Sequence, residues 1–154
     1  MIFTAQSSFP GRCGSTASGA IAGAEPFLPE AFSAPGAKKI LFKGHCSESD
    51  VVRLVHEAGE DRSVVIGVGG GALLDTAKAV ARRLALPVVA IPTIAATCAA
   101  WTPLSVWYND AGQALHFEIF DDANFLVLVE PRIVLQRAGG VSAGGDRRYA
   151  GEMV

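Results

Sequence analysis

Apolar and polar residues follow a regular pattern between about residues 38 and 130, and this pattern predicts strands and helices in turn. The short apolar run "KKILF" predicts a strand. The segment "SESDVVRLVHEAGE" predicts a helix that is capped by Ser47, with Asp50 at the capping-box spacing, and that ends near Gly59. Its apolar residues share one face, and they are Val51, Leu54 and Val55.

The next part of the chain predicts a complete βαβ unit from about Ser63 to Ile91. "RSVVIGVGGG" is a β-branched run of the kind found in buried parallel strands. "ALLDTAKAVARRLAL" repeats apolar residues at helical spacing, and these are Leu73, Leu74, Ala77, Val80 and Ala81. "PVVAIPT" predicts a second buried strand that is closed by Pro92, and the crossover between the strands should be right-handed.

Three more strands are predicted after this unit. "LSVWY" and "ALHFEIF" lie on either side of the turn residues Asp110, Ala111 and Gly112, which indicates a β-hairpin. "FLVLVE" predicts one more buried strand. The fold class is therefore α/β, with a parallel sheet and a hairpin.

Composition and charge argue against several classes of function. The chain has 154 residues, of which 50% are hydrophobic and 18% are charged, and this suits one domain with a core. A net charge of -2 and the lack of a basic run indicate no nucleic-acid partner and no membrane surface. We find no signal peptide, no 18-residue apolar run and no paired cysteine spacing, so we expect a cytoplasmic protein.

The strongest chemical feature is the glycine loop in "VIGVGGGALLDTAK", which contains Gly67, Gly69, Gly70 and Gly71 between a strand and a helix. Glycine lets the backbone approach a ligand closely, and a helix N-terminus attracts phosphate. We therefore predict that a pyrophosphate binds here. The spacing matches neither the Rossmann fingerprint nor the P-loop, so a tight turn that serves helix-sheet packing is an equally good explanation.

A second, hydroxyl-rich loop, "PTIAATCAAWTPLSVWY", follows the next strand at the edge where open α/β sheets bind ligands. Its threonines could bind a ligand and its aromatic residues could wall an apolar pocket; they are Thr93, Thr97, Thr102, Trp101, Trp107 and Tyr108. Alternatively the threonines cap turns and the aromatic residues belong to the core. The two loops together argue for a site more strongly than either loop alone.

Two smaller features have simpler explanations. Asp75 and Lys78 lie three residues apart on the predicted helix, and they could form a surface ion pair or contact a phosphate or ribose. The histidines His45, His56 and His116 have no metal-ligand spacing. We place them in a loop, on a helix face and in the hairpin.

The motifs "GVGGGALLDTAKA", "PTIAATCAAWTPLSVWY" and "FLVLVEP", in this order, resemble the iron-type (group III) alcohol dehydrogenases in the branch of the glycerol dehydrogenases. "APGAKKILFKGHCSESD" and "DRSVVIGVGGGALLDTAKA" resemble the hydroxycarboxylate dehydrogenases of this branch. The resemblance covers about residues 20–136. It implies the Rossmann-like N-terminal domain of the dehydroquinate synthase-like fold, NAD or NADP as cofactor, a small-molecule 2-oxo or 2-hydroxy acid as substrate, and homo-oligomeric full-length relatives.

The resemblance also implies cofactor contacts at particular positions, which are Gly69, Gly70, Gly71, Ala72, Asp75, Thr93, Ala96, Thr102, Leu104 and Tyr108. Ala72 stands where a lysine is common and Ala96 where a serine is common, so we do not expect the family's polar side-chain contacts to the cofactor at these two positions. Cys98 stands where an aspartate faces the polyol in glycerol dehydrogenases. Without that carboxylate we expect an acid to be a better substrate than glycerol, and we expect Cys98→Asp in a full-length version to weaken 2-oxo acid turnover.

A divalent metal, zinc or iron, is implied by the same resemblance, with ligands in a second, helical domain. The segments that would carry its histidine and aspartate ligands do not occur in the sequence, so we assign no metal ligand and no catalytic residue. Two further alternatives for the function are a nucleotide-binding module without catalysis and a truncated fragment without activity.

The two ends of the sequence lack the periodicity of the middle. "RAGGVSAGGDRRYAGEMV" can be read with synonymous codons in a shifted frame as a segment containing A-G-I-G-D-T-L-A-K-W, which is typical of the family. The stretch from Phe9 to Gly19 can likewise be read in a shifted frame as S-R-A-L-W-I-Y-G-E-R, an apolar strand that ends in glycine. We therefore interpret residues 1–19 and 137–154 as out-of-frame segments and residues 20–136 as a partial nucleotide-binding domain. On this interpretation the first strand of the sheet is missing, and the chain as written is marginally stable and inactive.

Overall fold

The structure is a computed structural model that describes residues 2–5, 23–33 and 36–135. These residues form, in chain order, β1 (Ile2–Ala5), α1 (Pro29–Ser33), β2 (Lys39–Phe42), α2 (Glu48–Ala58), β3 (Val65–Gly69), α3 (Gly71–Leu84), β4 (Val88–Pro92), β5 (Leu104–Tyr108), β6 (Ala114–Ile119) and β7 (Leu126–Val127). A further helical turn covers residues 131–135. The predicted α/β class is confirmed.

The main sheet of the described residues is parallel and has the order β2-β1-β3-β4-β7. The predicted βαβ unit is confirmed, because β3 and β4 pair in parallel and α3 connects them. We expected the first strand of the sheet to be missing, and this expectation is wrong. Ile2–Ala5 pairs in parallel with both β2 and β3, and its β-branched and aromatic residue types suit a strand. The frame interpretation of residues 137–154, and of the rest of residues 1–19, lies outside the described residues.

Apolar residues of α2 and α3 cover one face of this sheet. The five residues predicted for the inner face of α3 are all buried, as are Val51 and Leu54 of α2, while Val55 is half-buried. Gly59 ends α2 with φ 73°, as predicted. A Cβ atom on Gly67 of β3 would lie 2.7 Å from the Cβ of Ala77, so glycine is needed here for close packing between helix and sheet.

The other face of the sheet carries a smaller core. Val68 of β3 and Ile91 of β4 point to this face, where they cluster with Phe32 of α1 and Ile133 of the last helical turn. Successive residues of a strand face opposite sides, so β3 and β4 are buried on both faces. This explains why both strands are continuous apolar runs in the sequence.

The β-hairpin is confirmed, with β5 and β6 antiparallel around the predicted turn. The strand predicted from "FLVLVE" is present, but the prediction that it is buried is wrong. The strand covers two residues, and the neighbouring Phe125 is 75% exposed and Leu126 47% exposed. The reason is its position at the edge of the sheet that the described residues form, where it pairs with β4. In the described ranges, no helix is both long and apolar enough to cross a membrane.

Candidate functional site

The two predicted loops meet at the carboxyl edge of the sheet. β3 ends at Gly69 and β4 ends at Pro92, and the two strands run in parallel and in register at these residues. The backbone N–H of Thr93 donates to the carbonyl of Gly69 over 3.0 Å. The structure therefore brings together the glycine loop and the start of the hydroxyl-rich loop, as the sequence predicts.

The start of α3 has no side-chain cap. Gly70 is the N-cap residue, and among the described residues no side chain accepts a hydrogen bond there. The first turn of α3 also has no acidic residue. Since the first N–H groups of a helix lack partners within the helix and carry a partial positive charge, this helix start can bind an anion.

The second loop lies directly against this helix start. A Cβ atom on Gly71 would lie 2.8 Å from Thr97 Oγ1, and one on Gly70 would lie 3.2 Å from Ile94 Cδ1. The packing explanation of the glycines is thus supported at Gly71 as well as at Gly67. Anion binding is compatible with this explanation. Packing limits the size of the side chain at these positions, whereas an anion would bind to the backbone N–H groups, which no described side chain caps.

The individual residues of the second loop differ in exposure. Thr93 is buried, whereas Ala96 and Cys98 are exposed. The hydroxyl of Thr102 donates to the Cys98 carbonyl over 3.2 Å, and Thr97 Oγ1 accepts from the Ala99 N–H over 3.1 Å. Both hydroxyls therefore stabilise turns, as in the alternative explanation from the sequence.

Asp75 and Lys78 form an ion pair, but it is buried and not on the surface. Lys78 Nζ lies 2.9 Å from Asp75 Oδ1, and the side chains are 3% and 10% exposed. The ammonium group donates to the carbonyls of Ala99 and Thr102 over 3.0 and 3.1 Å, and also to the carbonyl of Leu104. The surface-pair prediction is wrong because this side of α3 packs under the second loop and β5.

This role of Lys78 was missed in the sequence, although a signal exists. Lys78 lies four residues after Leu74 and three before Ala81, and both of these are buried. Helical spacing therefore places the lysine on the buried face. A charged residue on a buried helix face requires partners, and here backbone carbonyls provide most of them.

Tyr108 is the last residue of β5, at the opposite end of the strand from Leu104. It is four residues along β5 from Leu104, which is about 13 Å in a strand, and its N–H donates to the Cys46 carbonyl over 2.8 Å. It helps to line a cavity of about 390 Å³ between the start of α2 and the hairpin. The other lining residues are Ser47, Glu48, Ser49, Arg83, Trp107, Asn109, Asp110, Leu115, His116 and Glu118.

The charged side chains that line this cavity have hydrogen-bond partners within the described residues. Arg83 donates to both carboxylate oxygens of Glu48, over 3.0 and 2.9 Å. The Ser49 hydroxyl donates to Asp110, and this hydrogen bond holds the pKa of the Asp110 carboxyl below its ordinary value, with Ser47 adding to the effect. Trp107 and Tyr108 line this cavity, as predicted, but Trp101 is 60% exposed and does not line it.

The histidines lie where the sequence predicts. His45 is in the loop before α2, His56 is exposed on α2, and His116 is on β6. Over the ranges that the structure describes, no three His, Cys, Asp or Glu side chains form a group that could hold a metal ion.

A parallel sheet with helices on both faces, and with two contacting loops at its carboxyl edge, defines the chain as an α/β protein of the Rossmann-like class. Residues 35–131 match the model of the iron-containing alcohol dehydrogenases, and the chain belongs to this family. The resemblance inferred from the motifs is confirmed.

Individual relatives agree with this assignment. The chain is 80% identical over 116 residues to hydroxycarboxylate dehydrogenase A of Escherichia coli (strain K12). The matched segment covers 75% of the chain and 32% of that protein. The crystal structure of glycerol dehydrogenase from Schizosaccharomyces pombe matches with a TM-score of 0.69 and 25% identity, over 87% of the chain and 32% of that protein. The chain thus spans about a third of the length of these relatives.

A more distant structure shows the shared fold alone. The 2-deoxy-scyllo-inosose synthase structure matches with a TM-score of 0.63 at 19% identity, over 86% of the chain and 37% of that protein. That structure contains carbaglucose-6-phosphate, NAD⁺ and Co²⁺.

Proposed function

We propose that this chain is the cofactor-binding part of an NAD(P)-dependent oxidoreductase that interconverts 2-oxo acids and 2-hydroxy acids. The observation that carries the proposal is the uncapped start of α3, which lies between two contacting loops at the carboxyl edge of the sheet. The similarity to hydroxycarboxylate dehydrogenase A supports the substrate class, and the NAD⁺ in a structure of the same fold supports the cofactor.

The described residues fit a dinucleotide. Gly69, Gly70, Gly71 and Ala72 would hold the pyrophosphate at the uncapped amides of α3. Asp75 Oδ1 is buried and has no hydrogen bond within the described part of the chain, although it lies 2.9 Å from Lys78 Nζ. Because this oxygen is buried and paired with Lys78, Asp75 would support the site by holding Lys78 and β5 in place.

The second loop would contribute the remaining contacts. Thr93, Ala96, Thr102 and Leu104 follow β4 in the segment that packs against the glycine loop, and we assign them to the cofactor with Tyr108 at the far end of β5. The nicotinamide ring supplies or accepts the hydride when the cofactor is bound. Cys98 is exposed on the same loop and would leave room for a substrate carboxylate without a like charge beside it.

The described residues do not fit the zinc or iron that the family resemblance implies. They provide no group of three ligand side chains, and we assign no step to a metal. This observation favours a second candidate, a nucleotide-binding module without chemistry. NADH or NADPH binding without reduction of 2-oxo acids would favour the module, whereas measurable reduction by the 154-residue chain would exclude it.

Replacement of the N-cap residue tests the binding site directly. We expect Gly70→Asp to weaken NADH or NADPH binding by about tenfold or more, because the carboxylate caps the free amides and repels the pyrophosphate. The variant should not lose stability for lack of a cap, since aspartate is a favoured N-cap residue and the backbone φ of -86° suits it. Cofactor fluorescence titration and urea unfolding measure the two effects.

Gly70→Asn is the matched control, because it has the same shape and can cap the helix but carries no charge. Its loss of affinity should be clearly smaller than that of the aspartate variant. Equal affinities of both variants, or binding by Gly70→Asp at the wild-type affinity, would show that the cofactor phosphates do not lie at the start of α3.

A further inference from the structure

Three backbone carbonyls of the segment 99–104 accept hydrogen bonds from one buried ammonium group. Lys78 is in the middle of α3 and is 4% exposed. Its Nζ donates to the carbonyls of Ala99 and Thr102, over 3.0 and 3.1 Å, and to the carbonyl of Leu104. Three carbonyl dipoles from one short stretch of backbone therefore converge on one positive charge.

Asp75 completes this arrangement on the same helix. Its Oδ1 lies 2.9 Å from Lys78 Nζ, and its Oδ2 accepts a hydrogen bond from the Val106 N–H over 3.3 Å. Its own carbonyl accepts from the hydroxyl of Ser105, which is fully buried, over 2.8 Å. The pair thus ties α3 both to the loop before β5 and to β5 itself.

The charge of Lys78 is needed for this geometry. Carbonyl oxygens that point at one another repel, and a buried carbonyl without a donor is costly. Asn124 Nδ2 also holds the segment through a hydrogen bond of 2.6 Å to the Ala100 carbonyl, but it is neutral and reaches one carbonyl only. Loss of the ammonium would leave three carbonyls to find other donors, and the segment would have to rearrange.

We infer that Lys78 is a positioning residue for cofactor binding: its ammonium group fixes the backbone of residues 99–104, which carries Thr102 and Leu104, and it does not contact the cofactor phosphates. This inference rests on the proposed function, because it assigns Thr102 and Leu104 to the cofactor. The sequence alone also allowed Lys78 to contact a phosphate. We do not assign that contact, because all three ammonium N–H groups donate to carbonyls within the protein.

Lys78→Met tests the inference, because methionine has a similar shape but neither charge nor donors. We expect its Kd for NADH to rise by about tenfold or more. The dependence of Kd on salt should keep its wild-type slope, since no phosphate contact is lost. Hydrogen-deuterium exchange of the peptide that covers residues 99–106 should become faster.

Two variants separate these effects from loss of charge or loss of fold. Arg82→Met is the matched control on the same helix, because Arg82 is exposed and pairs with the exposed Asp121 over 3.3 Å. It should leave the exchange of residues 99–106 unchanged. Lys78→Gln keeps amide donors without charge and should lie between wild type and Lys78→Met in both measurements, so it provides the test if the methionine variant does not fold.

A flatter salt dependence of Kd in Lys78→Met would show a direct phosphate contact and overturn the inference. Unchanged exchange of residues 99–106 in both Lys78 variants would also overturn it. If the wild-type chain binds neither NADH nor NADPH, the proposed function fails, while the exchange measurement still decides whether Lys78 holds the segment.

Discussion

Helices α2 and α3 both begin just after a parallel strand at the same edge of the sheet, but their first turns differ. At the start of α2, Ser47 Oγ accepts a hydrogen bond from the Asp50 N–H over 3.3 Å, and Glu48 and Asp50 add negative charge. At the start of α3, Gly70 provides no cap and the first turn has no acidic residue.

The difference shows that position in the fold does not by itself make an anion site. Both helix starts carry a partial positive charge, but the Ser47 side chain caps one N–H of α2, while no described side chain caps α3. Glu48 is further neutralised by Arg83 over 2.9 Å. We therefore describe α2 as having a closed start and α3 as having an open start.

The largest stability effect expected from this comparison is at Gly71. Gly71→Ala places a Cβ atom 2.8 Å from Thr97 Oγ1, and we expect the free energy of unfolding to fall by about 1–3 kcal/mol through overpacking. In a Thr97→Ala background the obstructing oxygen is absent, so the same change should cost clearly less. Urea unfolding of the wild type, the two single variants and the double variant gives the coupling energy.

Additive effects of the two substitutions would contradict this explanation, because they would show that the second loop does not lie against the open start of α3. Only the missing cap would then distinguish the start of α3 from the start of α2.

Much of this comparison is present in the sequence. The capping spacing of Ser47 and Asp50 predicts the closed start of α2, and the glycines before an uncapped apolar run predict the open start of α3. These features depend on residues that are close along the chain. Local hydrogen bonds and helical spacing are therefore enough to predict them.

Other parts of the site depend on contacts between distant residues, so helical spacing can indicate that Lys78 is buried but cannot identify its partners. Lys78 meets carbonyls that are 21 to 26 residues away in sequence, and the choice between an ion pair and a phosphate contact depends on that packing. The placement of Tyr108 beside Cys46 depends on how the hairpin packs beside the loop before α2. The pairing of Ile2–Ala5 in the sheet was missed because a strand of four residues has too few positions to show a period.

A smaller effect is expected at the closed start. Ser47→Ala removes the cap of α2, and we expect the free energy of unfolding to fall by about 1 kcal/mol. The affinity for NADH should stay at its wild-type value, because this helix start is not the proposed phosphate site. Urea unfolding and cofactor titration of the same preparation measure both quantities. An affinity loss that matches that of Gly70→Asp would mean that the two helix starts do not have separate roles.

The smallest expected effect on stability concerns the cysteines beside the two helix starts. It appears only in alkaline solution. Cys46 is fully buried next to Ser47, and burial raises the pKa of its thiol to about 12, although a hydrogen bond with Thr76 acts in the opposite direction. Cys98, on the loop against α3, is exposed.

Folding therefore disfavours the Cys46 thiolate, and the sign of the pH effect follows from this. Above the ordinary thiol pKa of about 9, the unfolded chain releases a proton that the folded chain retains until about pH 12. Stability should accordingly fall as the pH rises through this range, and Cys46→Ala should show a weaker fall between pH 8 and about 10.

Iodoacetamide at pH 8 should modify Cys98 in the folded chain and leave Cys46 unmodified, which peptide mass analysis can measure. Rapid modification of Cys46 under folding conditions would show that the start of α2 opens to solvent, and the contrast between a closed and an open helix start would then fail.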